Sequence, residues 1–418
     1  MRKMVQPKRG VSFHASRDGG VLYDATVRRL YALTPTAALS WLTLHSGTPD
    51  AVTRALVEAF EIDETVARAW AADSLSSFRT LGLTQQAGYD EDSSQISEAI
   101  RAPLHQVADE RVIEPVALSP PNAQSITIRL LEQRFELTYP ASVAPFLKDL
   151  LHPASALGTV TDLTSPAIAI RITRSCAGYD IVLGDRTAAR NVALPGLATA
   201  VEQELVTAAV AATPHLLTLH AGTLRSADQG LLLVGASGSG KSTLGAALVH
   251  AGWQYGGDEL ALLARSFRVR PVSLGICIKL NSFAIIERWF PHFTDALTQD
   301  RFGREVRFLA LENGFEETAV NIVVFPRYMP NAVARVSQMA GLDGLKKLLD
   351  ECVFVPEGFE RNDVSGLLRW HESVTYFEIV FDDVQAAAQT LDAMVVGMVQ
   401  NRHSDQKCDA AAQKMADS

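Results

Sequence analysis

A chain of 418 residues exceeds one ordinary domain, so two or three domains are expected, and 47% apolar with 20% charged residues is a globular composition. The formal net charge of −9 excludes a general nucleic-acid or anionic-membrane binder. No apolar run reaches the length of a membrane-spanning helix, and the basic start MRKMVQPKRG leads into Val11, Ser12, Phe13 and His14 rather than a signal-peptide core. Cys176, Cys277, Cys352 and Cys408 have no metal or disulfide spacing, and a cytoplasmic protein is expected.

Residues 11–34 read as three short strands around a Gly19-Gly20 turn. Three helices follow. Thr34-Pro35 and Thr48-Pro49 each supply a cap with proline at the first helical position. The third helix runs from about Thr65, with Val66, Trp70, Leu75, Phe78 and Leu81 on one stripe and Gly82 past its end. Such a unit is a small α+β winged-helix-like module, and a DNA binder or a plain packing module share the pattern. Arg28 and Arg29 are too few for a phosphate-binding face.

With RRLYALTPTAALSWL and the closing FRTLGL, roughly residues 10–85 resemble the PqqD-like peptide-recognition domain of pathways that modify ribosomally made peptides. The resemblance implies a leader peptide added as a strand between the third strand and the third helix. Arg29, Tyr31, Leu33, Trp70 and Phe78 would then line the groove. The boundaries expected are residues 1–88 for this domain, 89–122 for a polar linker, 123–400 for a catalytic domain and 401–418 for a frayed tail.

The second domain opens with strand-like segments at 126–131, 135–137, 167–173 and 179–183, then a helical stretch at 197–212 and an apolar strand at 216–220. The most informative stretch follows. Leu231 to Val234 read as a buried strand running into Gly235, Ala236, Ser237, Gly238, Ser239, Gly240, Lys241, Ser242 and Thr243, which fits GxxxxGK[ST] in full. Glycines let backbone N–H groups turn inward around a phosphate chain, Lys241 reaches the β and γ phosphates, Ser242 offers a hydroxyl to Mg²⁺, and the helix start adds its positive end. A further Gly256-Gly257 pair precedes two adjacent carboxylates, Asp258 and Glu259, suited to metal binding and proton acceptance.

His220 stands fifteen positions before Gly235, and the acidic pair follows the P-loop helix. On these three features, residues 126–395 resemble the catalytic domain of HPr kinase/phosphorylase, in its HPr-kinase-related branch. The resemblance implies an α/β P-loop kinase fold of the HPr kinase and PEP carboxykinase type, with ATP and Mg²⁺ and, by analogy, homo-oligomers. It also implies Asp258 as general base, Glu259 as a Mg²⁺ ligand with Ser242, and His220 and Lys241 as catalytic-site residues. Arg270, Lys279 and Arg327 are weaker candidates for phosphate contact. The acidic pair is Asp-Glu where the family usually has Asp-Asp, and an HPr-specific segment of the type EIRGLG is absent, so the resemblance does not extend to HPr as substrate or to a reverse phosphorylase. The combination implies a serine kinase of a ribosomally made precursor peptide. A kinase of a carrier protein or small molecule, and a nucleotide-gated peptide carrier without transfer, are the rivals. Residues 333–396 read as structural completion of the catalytic domain.

Overall fold

The computed structural model describes residues 5–44, 48–86, 123–156, 166–227, 229–312 and 314–398. The expected linker at 89–122 and tail at 401–418 lie outside the described residues. Two compact units divide the chain, Met1–Ser119 and Pro120–Ser418.

In the first unit the order is β1 (Val5–Pro7), β2 (Val11–Ser16), β3 (Gly19–Asp24), β4 (Arg29–Leu33), α1 (Pro35–Leu44), α2 (Pro49–Phe60), α3 (Glu64–Thr80) and β5 (Thr84–Gln86). β2, β3 and β4 form an antiparallel sheet in that order, which leaves β4 at an edge, and β1 pairs with β5. Asp63 caps α3 by accepting from the Thr65 N–H at 2.7 Å. Apolar positions three and four apart on the helices converge on one core, where Trp41 and Phe78 meet edge to face with centroids 5.1 Å apart. This corrects the expected groove. Phe78 and Leu33 are 1% and 6% exposed and belong to the core, because the inward face of α3 is Ala67, Ala71, Leu75 and Phe78 rather than the expected stripe through Val66, Trp70 and Leu81. Trp70 is 39% exposed, and Arg29 lies over the half-buried Tyr31 ring.

The second unit begins with β6 (Ala123–Leu130), β7 (Gln133–Pro140), α4 (Ala144–Ala156), β8 (Ile168–Arg174), β9 (Tyr179–Leu183), β10 (Arg186–Val192) and α5 (Leu197–Ala212). The strands form a five-stranded sheet in the order β10-β9-β8-β7-β6, and α4 and α5 bury their apolar stripes in a core shared with it.

The chain continues through β11 (Leu217–Leu219), β12 (Ala221–Ser226), β13 (Gln229–Val234), α6 (Lys241–His250), β14 (Gln254–Gly257), β15 (Ala261–Leu263), β16 (Arg268–Pro271), β17 (Ile276–Lys279), α7 (Phe283–Trp289), β18 (Gln299–Asp300), β19 (Glu305–Leu309) and β20 (Thr318–Tyr328). It ends with β21 (Arg335–Gln338), α8 (Gly341–Asp350), β22 (Cys352–Phe354), α9 (Arg361–Glu372), β23 (Thr375–Phe381) and α10 at residues 384–398. β11 to β16 and β20 to β23 build one mixed sheet, with β13, β20 and β23 parallel neighbours and the remaining pairs antiparallel; β17, β19 and β18 form a smaller one. β13 lies between β12 and β20 with Leu231 to Val234 buried, which is why its sequence is a continuous apolar run rather than an alternation. The fold is thus mixed α/β around a large mixed sheet. No helix among the described residues is long and apolar enough to cross a membrane.

Candidate phosphate-binding cleft

β13 delivers the chain into a tight loop, and α6 starts at Lys241. Gly238 and Gly240 have φ of +94° and +93°, conformations that side chains disfavour, and a Cβ at Gly240 would stand 2.8 Å from the Phe381 ring. The loop is therefore kept small by backbone angle and by contact. Its residues, with His220, Glu259, Lys279, Asn281, Ser282, Ile285, Tyr328, Phe381, Asp382 and Val384, line a cleft of about 480 Å³.

Lys241 is only 7% exposed and its Nζ has no hydrogen-bond partner among the described residues. Burial pushes its ammonium below the ordinary lysine value, against the pull of Asp258, Glu259 and Glu351. A buried ammonium without a partner is costly, and an anion in the cleft would relieve that cost. Beside it Ser242 Oγ donates to Asp258 Oδ2 at 2.7 Å, Thr243 and Ser282 share a hydroxyl contact at 2.8 Å, and Lys279 Nζ donates to Ser237 Oγ at 2.7 Å.

The two carboxylates face different partners. Asp258, 6% exposed, is held by Ser242, and burial raises its pKa against the opposing charge of Lys241. Glu259 has a 40% exposed side chain, lines the cleft, and lies 3.5 Å from His220 Nε2 and 3.3 Å from an Arg301 nitrogen. Its burial favours the acid, but the hydrogen bond with His220 and the charges of Arg301 and Lys241 outweigh this and hold it at about 2. The serine expected to share a metal ion with Glu259 is hydrogen-bonded to Asp258 instead.

Of the remaining candidates, Lys279 reaches the loop and Arg270 does not. Arg270 pairs with Glu132 and Glu317 and lines a separate cavity of about 350 Å³. Arg327 is exposed near the end of β20, beside the cleft-lining Tyr328. Three residues that sequence reasoning missed join the site. Glu351 contacts His220 Nδ1 at 3.1 Å, and Arg301 ties Glu259 to the buried Glu202 of α5. None sits in a motif; each comes from an element remote in sequence, so no local signal marked it.

The loop and Lys241 could hold an anion, and the nearby oxygens one hard cation. No group of three or more His, Cys, Asp or Glu among the described residues forms an all-protein metal cage. Mg²⁺ is commonly held by one or two protein oxygens together with phosphates, and Ser242 with Asp258 supplies such a pair.

No family model matches the chain, and no curated protein matches it. Two solved structures are among the matches. Lasso peptide synthetase B1 complexed with the leader peptide is 24% identical over 20% of this chain and 98% of its own, with a TM-score of 0.19. The Hpr(Ser) kinase/phosphatase from Coxiella burnetii is 14% identical over 46% of this chain and 98% of its own, with a TM-score of 0.21. At those TM-scores neither likeness adds weight to the geometry.

Proposed function

We propose that this chain is an ATP-dependent kinase that phosphorylates a hydroxyl, serine first, on a ribosomally made precursor peptide. The observation that carries the reading is the unpartnered buried ammonium of Lys241, enclosed by a glycine loop and facing two differently held carboxylates. Loop N–H groups and Lys241 bind the polyphosphate, and the start of α6 favours its charge. Ser242 and Asp258 would hold Mg²⁺, which neutralises the phosphate oxygens when bound. Glu259, which lines the cleft, is placed to accept the proton of the attacking hydroxyl. The new bond joins that oxygen to the γ-phosphorus, the bond to the bridging oxygen breaks, and ADP leaves with the electron pair. Catalysis of this kind needs positioning and charge complementarity above all.

The first unit would hold the leader peptide against the β4 edge, with Arg29, Tyr31 and Trp70 as its contacts. Tethering raises the local concentration of the acceptor, so the cleft itself can bind it weakly. The reading is tested by ADP release with Mg²⁺, ATP and the precursor peptide encoded beside the gene. Peptide-dependent release supports it; ATP binding with no release in any peptide's presence contradicts it.

A further inference from the structure

The lining of the phosphate-binding cleft divides by chemistry. His220, Glu259 and Lys279 are charged or ionisable, whereas Ile285, Tyr328, Phe381 and Val384 are apolar or aromatic. Two of the second group adjoin the loop itself. The Tyr328 N–H donates to the Ser239 carbonyl at 3.0 Å, and a Cβ built on Gly240 would stand 2.8 Å from the Phe381 ring and 3.6 Å from Tyr328 Cβ. Phe381 and Val384 are buried, but Tyr328 is 50% exposed. Its ring is nonetheless held in place. It meets Phe381 edge to face with centroids 6.2 Å apart, and its hydroxyl donates to the Asp382 carboxylate, which also accepts from the Asn331 N–H at 2.9 Å. An open aromatic face already fixed beside a phosphate loop costs little further ordering when a flat ring stacks on it.

We propose that Tyr328 is the stacking platform for the nucleobase of the triphosphate, and that it makes the cleft select a nucleoside triphosphate over an inorganic polyphosphate. A nucleoside triphosphate joins a charged chain to a flat ring, and the cleft offers a surface for each within about 480 Å³, inside the range of small-molecule sites. Loop N–H groups and Lys241 cannot tell ATP from triphosphate, because both present phosphate oxygens to them. The discrimination must come from the part of the lining that the phosphates do not use. Loss of one aromatic platform by alanine substitution commonly weakens a stacked base by about 5- to 150-fold. The acceptor side chain suits this wall less well, since transfer needs its hydroxyl at Glu259, among the ionisable residues. The inference rests on the nucleotide reading and goes beyond it by naming what holds the portion of the ligand outside the loop.

The test is calorimetric titration of the full-length protein with ATP and with inorganic triphosphate, each with Mg²⁺, in wild type, Tyr328→Ala and Tyr328→Phe. Wild type should bind ATP at least about tenfold more tightly than triphosphate, a comparison that depends on no variant. Tyr328→Ala should lower the affinity for ATP by about tenfold and that for triphosphate by less than about twofold. Tyr328→Phe, which keeps the ring, should recover most of the preference. Equal affinities for the two ligands in wild type, or the same preference in all three proteins, overturns the proposal and leaves the aromatic wall to the acceptor. A Tyr328→Phe variant that behaves like Tyr328→Ala also overturns it, because the loss then belongs to the hydrogen bond with Asp382. Binding of neither ligand overturns the nucleotide reading as well.

Discussion

Ser242 Oγ donates to Asp258 Oδ2 at 2.7 Å, and this one bond gives two adjacent carboxylates different partners, on which the different roles proposed for them rest. It joins the first turn of α6 to the chain just past β14, and it holds Asp258 buried behind Ser242, whose loop and helix start line the cleft with Glu259. The two roles can be told apart. Asp258→Asn should raise the Mg²⁺ concentration needed for half-maximal rate by roughly 10- to 100-fold. Glu259→Gln should leave that requirement in place and lower kcat by roughly 10²- to 10⁴-fold. Mg²⁺ titrations of the rate in both variants check this, and the reversed pattern would return the base to Asp258.

Lys241→Met separates binding from stability. The substitution removes a buried ammonium whose Nζ has no hydrogen-bond partner among the described residues, but also the charge that offsets Asp258 and Glu259, so the melting temperature of the unliganded variant should change little. ATP should raise the melting temperature of wild type and not that of the variant, which lacks the charge proposed to meet the phosphates. Thermal unfolding with and without nucleotide reads both effects.

Glu259 also predicts an acid response. Its native pKa of about 2 lies below its ordinary value of 4.5, so its contribution to stability is fully present above 4.5 and is lost as the pH falls through 2. Wild type should therefore lose more stability than Glu259→Gln between pH 5 and pH 3, measured by urea unfolding at each pH. Equal losses would mean that His220 and Arg301 do not stabilise the charged form.

In the first unit the exposed and buried aromatics should behave oppositely. Trp70→Ala should keep the fold and weaken the precursor peptide by about tenfold, as expected of an aromatic anchor. Phe78→Ala should destabilise the unit by about 3 to 5 kcal/mol, because it empties a core position against Trp41. Circular dichroism and peptide titration distinguish the two.

What could be seen beforehand was local. Leu231 to Ser242 announces a strand, loop and helix because a phosphate-loop motif is built from consecutive residues, whereas the Asp63 cap that starts α3 was not read from the sequence. The stripe expected on α3 does not hold as one face: Leu75 and Phe78 turn inward with Ala67 and Ala71, Phe78 against Trp41, whereas Val66, Trp70 and Leu81 are exposed. The cleft's remaining partners depend on distant pairings. Glu351 reaches His220 across 131 residues through the contact of β22 with β11, and Arg301 bridges Glu202 and Glu259 from the turn after β18. Arg270 carried the same charge as Lys279, and only the packing around Glu132 and Glu317 separates it from the loop.

The most direct measurement is the intact mass of the precursor peptide encoded beside the gene, incubated with the full-length protein, Mg²⁺ and ATP, with Glu259→Gln in parallel. The kinase account predicts a gain of one phosphate, about 80 Da, that is absent in the variant and much reduced when residues 1–90 are deleted. An unchanged peptide mass, with ATP and peptide both bound by the wild-type protein, would contradict it and leave a nucleotide-gated carrier.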